Sequence, residues 1–132
     1  MKNLRKTTEP LLKKPVPGTY RSEIVSAGFD PRYADNGAFR VIYVLEDEKN
    51  QLFDFAEIFY NKPEATRTWD FIDTIEEYGA DSENFVSFVG FREIVNLQYV
   101  LSNGKRYLNV TSRAPLGFER KEAEANGMEN WW

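Results

Sequence analysis

Rings and cations alternate along several stretches of this 132-residue chain, and together they could hold a single-stranded nucleic acid. Tyr43, Phe53, Phe55, Tyr60, Tyr99 and Tyr107 supply flat faces on which unpaired bases could stack. Each such stack contributes roughly 1–3 kcal/mol. Arg21, Arg40, Lys62, Arg92, Lys105, Arg106 and Arg113 supply charge for phosphates, whose neutralisation releases counterions. The same rings also suit a hydrophobic core, and for any one Phe the core is the commoner fate. Tyr99 and Tyr107 flank an Asn103-Gly104 turn, where a surface role gains weight. Lys105-Arg106 is the densest basic pair between residues 16 and 113, although hairpin charge can also serve solvation alone.

Other chemistries find less material. The chain has no His and no Cys, so the commonest general base, the commonest metal ligand and any thiolate are missing. Asp70, Asp73 and Glu77 fall at i, i+3 and i+7 beside Glu76, which is also the spacing of a solvated helix face. Asp54 and Glu57 lack a nearby Lys. Gly37, Gly79, Gly90 and Gly104 are isolated and build no phosphate loop. A protein that is not an enzyme, with no cofactor and no metal, is expected.

The elements that must position these residues are legible from alternation and turn signals. Pro17-Gly18 announces a strand over Thr19–Phe29, whose apolar phase switches near Ile24-Val25 and predicts a bulge. Asp30–Gly37 reads as a loop with Arg32 and Tyr33 exposed. Strands follow at Ala38–Glu46 and Gln51–Tyr60. A helix from about Pro63 to Tyr78 ends at Gly79, with Ala65, Thr68, Trp69, Phe71, Ile72, Ile75 and Tyr78 on its apolar side. Trp69, Ile72 and Ile75 are expected to be buried against strands. Asp81–Val89 leaves room for a short helical turn. Arg92–Arg113 then forms a hairpin about Asn103-Gly104, the strongest short-range hairpin signal. Ala114-Pro115-Leu116-Gly117 reads as the end of the sheet.

Three regions emerge. Residues 1–15 form a basic N-terminal arm, in which Lys2, Arg5, Lys6, Lys13 and Lys14 outweigh Glu9. Residues 16–113 form the folded domain, with 10 basic and 16 acidic side chains. Residues 114–132 form a flexible acidic tail with a Trp131-Trp132 tip. No secretory signal and no apolar run near the ~20 residues of a membrane span are evident, so cytoplasm is the default compartment.

Five strands with one helix between the third and fourth is the element order of the OB-fold, a five-stranded Greek-key barrel. An antiparallel sheet with a helix on one face is the competing architecture. Pro17-Gly18-Thr19-Tyr20-Arg21-Ser22-Glu23-Ile24, Phe39–Leu45, Phe85–Gly90 leading into Ile94–Tyr99, and Tyr107–Val110 together resemble small OB-fold single-stranded-DNA-binding proteins of phages and mobile genetic elements. The resemblance covers about residues 16–113. It implies sequence-tolerant binding of single-stranded DNA in replication or recombination. The tail is similar to the acidic, aromatic-tipped tails with which bacterial single-stranded-DNA-binding proteins dock on partners, though its acidic cluster is thinner. That similarity implies a partner-docking role for Trp131 and Trp132 toward replication or recombination proteins. Packing back on the domain, or on a neighbouring subunit of a homo-oligomer, are the other roles open to it. The net charge of residues 16–113 speaks for a different class, a protein-interaction module that touches no nucleic acid.

Overall fold

A computed structural model describes residues 12–32 and 34–118. Tyr33 and the Trp131-Trp132 tip lie outside the described residues. The order of elements is β1 (Gly18–Phe29), β2 (Phe39–Glu46), β3 (Leu52–Phe59), α1 (Thr66–Glu77), β4 (Phe91–Ser102) and β5 (Lys105–Phe118), with single turns of 3-10 helix at Ala34–Asn36 and Phe85–Phe88. The five strands form one open sheet in the order β3-β2-β1-β4-β5. Every neighbouring pair is antiparallel. Among the described residues, no helix is long and apolar enough to cross a membrane.

Local chemistry accounts for the strands. Alternation along β2 buries Phe39, Val41, Tyr43 and Leu45 and leaves Arg40, Ile42, Val44 and Glu46 half-buried. β1 pairs with β2 on one side and β4 on the other, and its register slips between Ile24 and Ser26. The extra residue is Val25, where the apolar phase of the sequence also switches. At the β4–β5 turn, Asn103 (φ 53) and Gly104 (φ 77) both take the left-handed conformation that matches the twist of a two-residue hairpin. Ser102 therefore faces Lys105, and the ladder runs back without a break to Leu97 opposite Val110; a bulge then sets Asn96 opposite Ser112.

β5 runs past the point where the sequence suggests an end. Ala114 and Pro115 pair with Ile94 and Glu93, and Gly117 and Phe118 with Arg92 and Phe91. Pro115 reads as a stop because it cannot donate to a ladder. It is tolerated here because β5 is an edge strand and a bulge follows at once. At the other edge, the end of the basic arm is strand-like: Lys13 makes a parallel bridge to Phe53, and its carbonyl accepts the Asp54 N–H at 3.1 Å.

α1 starts at Thr66, three residues after Pro63, and buries Thr68, Phe71 and Ile75. Trp69 departs from expectation. At about 100° per residue it lies about 200° from Phe71, on the far side of the stripe that faces the sheet. Its ring is 37% exposed, and Nε1 donates to the Lys62 carbonyl at 2.9 Å. Ile72 packs at the margin of the core and Ile75 is fully buried. Phe71 stacks on Phe59 with centroids 4.5 Å apart, and Phe59 stacks on Phe39 at 5.1 Å. Phe71→Ala should cost about 3–5 kcal/mol of stability in denaturant unfolding. A loss below about 1 kcal/mol would mean that this stack does not hold α1 to the sheet.

Candidate nucleic-acid interface

The site is built where the sheet fails to close. Among the described strands, β3 neighbours only β2 and β5 only β4, so the two outer strands face each other across a cleft of about 630 Å³. β3 contributes Phe55 to Ile58, and Tyr60 follows at its end. The hairpin contributes Ser102 and Tyr107 to Val110. Arg67 enters from the first turn of α1, and Arg32 from the loop between β1 and β2. The Asp54 N–H already points outward to Lys13, so by strand parity the main-chain groups of Ala56 also point outward from β3. The Ile58 carbonyl, two residues further on, accepts from Arg67 Nη2 at 2.8 Å.

Side chains span the gap that main-chain bonds leave. Arg113 on β5 holds both Glu57 oxygens on β3, at 2.7 and 2.8 Å, and reaches Glu93 on β4 at 3.1 Å. Tyr43 Oη on β2 donates to Glu57 Oε1 at 2.7 Å, and Arg67 Nη1 donates to Glu57 Oε2. Glu57 and Glu93 are both buried. Burial opposes charge on Arg113, yet Tyr43, Glu57 and Glu93 raise its pKa and keep it cationic. Burial also pushes the Glu93 carboxyl up to about 7, against the pull of Arg113 and with a further push from Glu57. Glu93 Oε2 is buried and has no hydrogen-bond partner, which fits that cost. Burial, with the nearby Glu57, raises the Tyr43 hydroxyl well above its ordinary range.

A pH dependence follows. A carboxyl that titrates near 7 when folded and near 4.5 when unfolded binds more protons in the folded state between those values. Its contribution is complete below about 4.5 and is lost as pH rises through about 7, a change of about 3 kcal/mol. Urea unfolding at a series of pH values should show this decline, and Glu93→Gln should flatten it. Equal slopes in both proteins would remove Glu93 as its source.

The residues singled out from sequence do not all come together. Tyr60 (38% exposed), Tyr107 (48% exposed) and Phe55 line the cleft. Tyr99, Lys105 and Arg106 sit on the projecting end of the hairpin, with the Arg106 guanidinium 4.1 Å from the Tyr99 ring centroid. Lys62 stands beside the cleft with Nζ 5.8 Å from the Tyr60 ring. Tyr43 and Phe53 do not present stacking faces. Both rings are interior, since strand parity places them on the same face as Val41 and Phe59. Arg92 is buried and pairs with Glu23, and Arg113 is committed to Glu57 and Glu93, so neither stands open to a phosphate. Arg21 and Arg40 are half-buried on β1 and β2, and neither lines the cleft.

No family model matches the chain, and no curated protein matches it.

Two cleft cations were not among the sequence candidates. Arg32 is well exposed and is steadied by Asp30, whose carboxyl accepts from Arg32 Nε and Nη2 and is lowered in pKa mainly by that bonding. Arg67 falls on the polar side of the helical wheel and reads there as ordinary solvation. The available signal was the short link of residues 60–65, which forces the first turn of α1 to sit at the end of β3.

Proposed function

We propose that this chain is an OB-fold protein that binds single-stranded DNA with little sequence preference and performs no catalysis. The observation that carries the reading is the cleft between β3 and the β4–β5 hairpin, where the Tyr60 and Tyr107 rings stand exposed beside Arg32 and Arg67, with Lys105 and Arg106 outside it at the hairpin end. A chain of unpaired bases needs that pairing of flat faces with charge. The strand order supports the fold reading. A bulged first strand pairs with both the second and the fourth, a helix follows the third, and the Glu57–Arg113 pair links the two edges of the open sheet, the order expected of a partly open Greek-key barrel. The loop carrying Arg32 and the β4–β5 hairpin correspond to the two loops with which OB-folds grip oligonucleotides. A place in phage or mobile-element replication or recombination rests on the resemblance of residues 16–113 alone, and the cytoplasm is proposed as the default for a sequence with no evident secretory signal. Docking of replication or recombination proteins at Trp131 and Trp132 is proposed on the separate similarity of the tail, with assembly of a homo-oligomer as the other role open to it. The lack of His and Cys throughout the chain supports a non-catalytic role.

The second reading is a protein-interaction module. It is favoured by the excess of acidic over basic side chains between residues 16 and 113. Fluorescence anisotropy with a labelled oligonucleotide at about 50 and about 200 mM salt decides between them. Binding that weakens steeply with salt is the result expected. No binding at the lower salt overturns the proposal in favour of the module.

A further inference from the structure

The cleft does not stop at Tyr60. Tyr60 and Asn61 also line a hollow over Lys62 and Asn36, and Asn61 in turn borders a groove of about 450 Å³ between α1 and the loops at that end of the sheet. Gly37 makes this continuity by close approach: it holds φ +78, and a Cβ there would lie 2.6 Å from Asn61 Nδ2. The groove is mostly apolar and is walled by Phe29, Trp69, Ile72 and Phe85. Phe29 is 57% exposed although its ring packs edge-on against Phe85 at 4.9 Å. Trp69, off the helix's apolar stripe and held by the bond from its indole N–H to the Lys62 carbonyl, forms one wall.

We infer that this groove is a second subsite for the same strand, taking one unstacked nucleobase from nucleic acid that leaves the cleft over Tyr60 and Lys62. The inference rests on the single-stranded-DNA reading given above. Three features select a base as the occupant. The volume lies within the 300–1,000 Å³ typical of small-ligand pockets. The walls are π faces and an isoleucine, which suit a flat ring. Among the described lining residues the one charged group is the Glu83 carboxylate, which repels phosphate yet can accept a hydrogen bond from an exocyclic amine. The backbone would stay outside, near Lys62.

Trp69 reports on the groove directly. Replacing Trp131→Phe and Trp132→Phe in the full chain leaves Trp69 as the sole tryptophan of the three. Its emission is followed while anisotropy records total binding of oligonucleotides of about 4 and about 16 nucleotides, the range of OB-fold site sizes. The expected result is quenching of Trp69 by the longer strand only. Phe29→Ala, an exposed position that should fold normally, should weaken the longer strand about tenfold and leave the shorter one unchanged. If the longer strand binds, but Trp69 stays silent and Phe29→Ala binds equally well, the subsite is overturned and the DNA-binding reading stands. If acrylamide cannot reach Trp69 before DNA is added, the groove is filled by the chain itself and the subsite is likewise overturned. If neither strand changes the anisotropy, both readings fall together.

Discussion

Reversing both charges at the hairpin end, Lys105→Glu with Arg106→Glu, should weaken single-stranded DNA binding about 100-fold at about 50 mM salt. Each phosphate contact to a single strand contributes a slope of about 0.7 in log K against log salt, or nearly a factor of ten at that concentration. Two contacts therefore account for most of the loss, and like-charge repulsion adds the rest. The salt slope itself should shrink by about 1.4. Both residues are exposed, and among the described residues the interaction sacrificed is the stacking of Arg106 on Tyr99, so unfolding should shift by less than about 1 kcal/mol. Affinity equal to that of the unaltered protein would take the hairpin out of the site. A matching fall in stability would mean that the substitutions had disturbed the fold rather than the interface.

Arg113→Met should be among the most damaging single changes in the domain, costing about 3–5 kcal/mol. The arginine bonds both Glu57 oxygens and one oxygen of Glu93, and its removal leaves, among the described residues, no side-chain partner for Glu93 and only Tyr43 and Arg67 for Glu57. The midpoint of thermal unfolding should fall by about 10–20 °C. Adding Glu57→Gln and Glu93→Gln to Arg113→Met should restore part of the loss, because the penalty lies in unpaired buried charge and not in the missing guanidinium. A single variant that melts within about 2 °C of the unaltered protein would show that the two edges do not depend on this contact.

Local features of the fold were legible. Alternation located the five strands, the phase switch at Ile24-Val25 located the bulge, and Asn103-Gly104 located the hairpin. Each of these is decided by a few consecutive residues. The misreadings arose where distant residues decide. Tyr43, Phe53, Arg92 and Arg113 looked like surface candidates because a sequence does not say which face of a strand meets which partner. Glu57 and Glu93 gave no hint of burial, since the arginine that makes it tolerable lies 56 residues from one and 20 from the other. Pro115 was misread for a related reason. Proline ends a central strand, but on an edge strand its missing N–H faces no partner. Of the cleft itself, Tyr60, Phe55 and Tyr107 could be picked from sequence, whereas Arg67 became meaningful only once the helix was placed.

The pairing of β1 with β4 bears on how the chain reaches its native state. β1 to β3 form a meander of near neighbours, and β4 with β5 forms a tight hairpin. The ladder between them joins Gly18 to Leu97 and Glu23 to Arg92, residues 69 to 79 apart in sequence. Closing so long a loop delays the reward for ordering it, which places this step late and makes the topology slow. On the ribosome the first meander emerges whole while the far side of β1 has nothing to pair with. For that interval the strand destined for the middle of the sheet is an open edge, and an unpaired edge is a template for another chain. Misassembly during synthesis should therefore begin at β1 rather than at either of the outer strands, β3 and β5, of the finished protein.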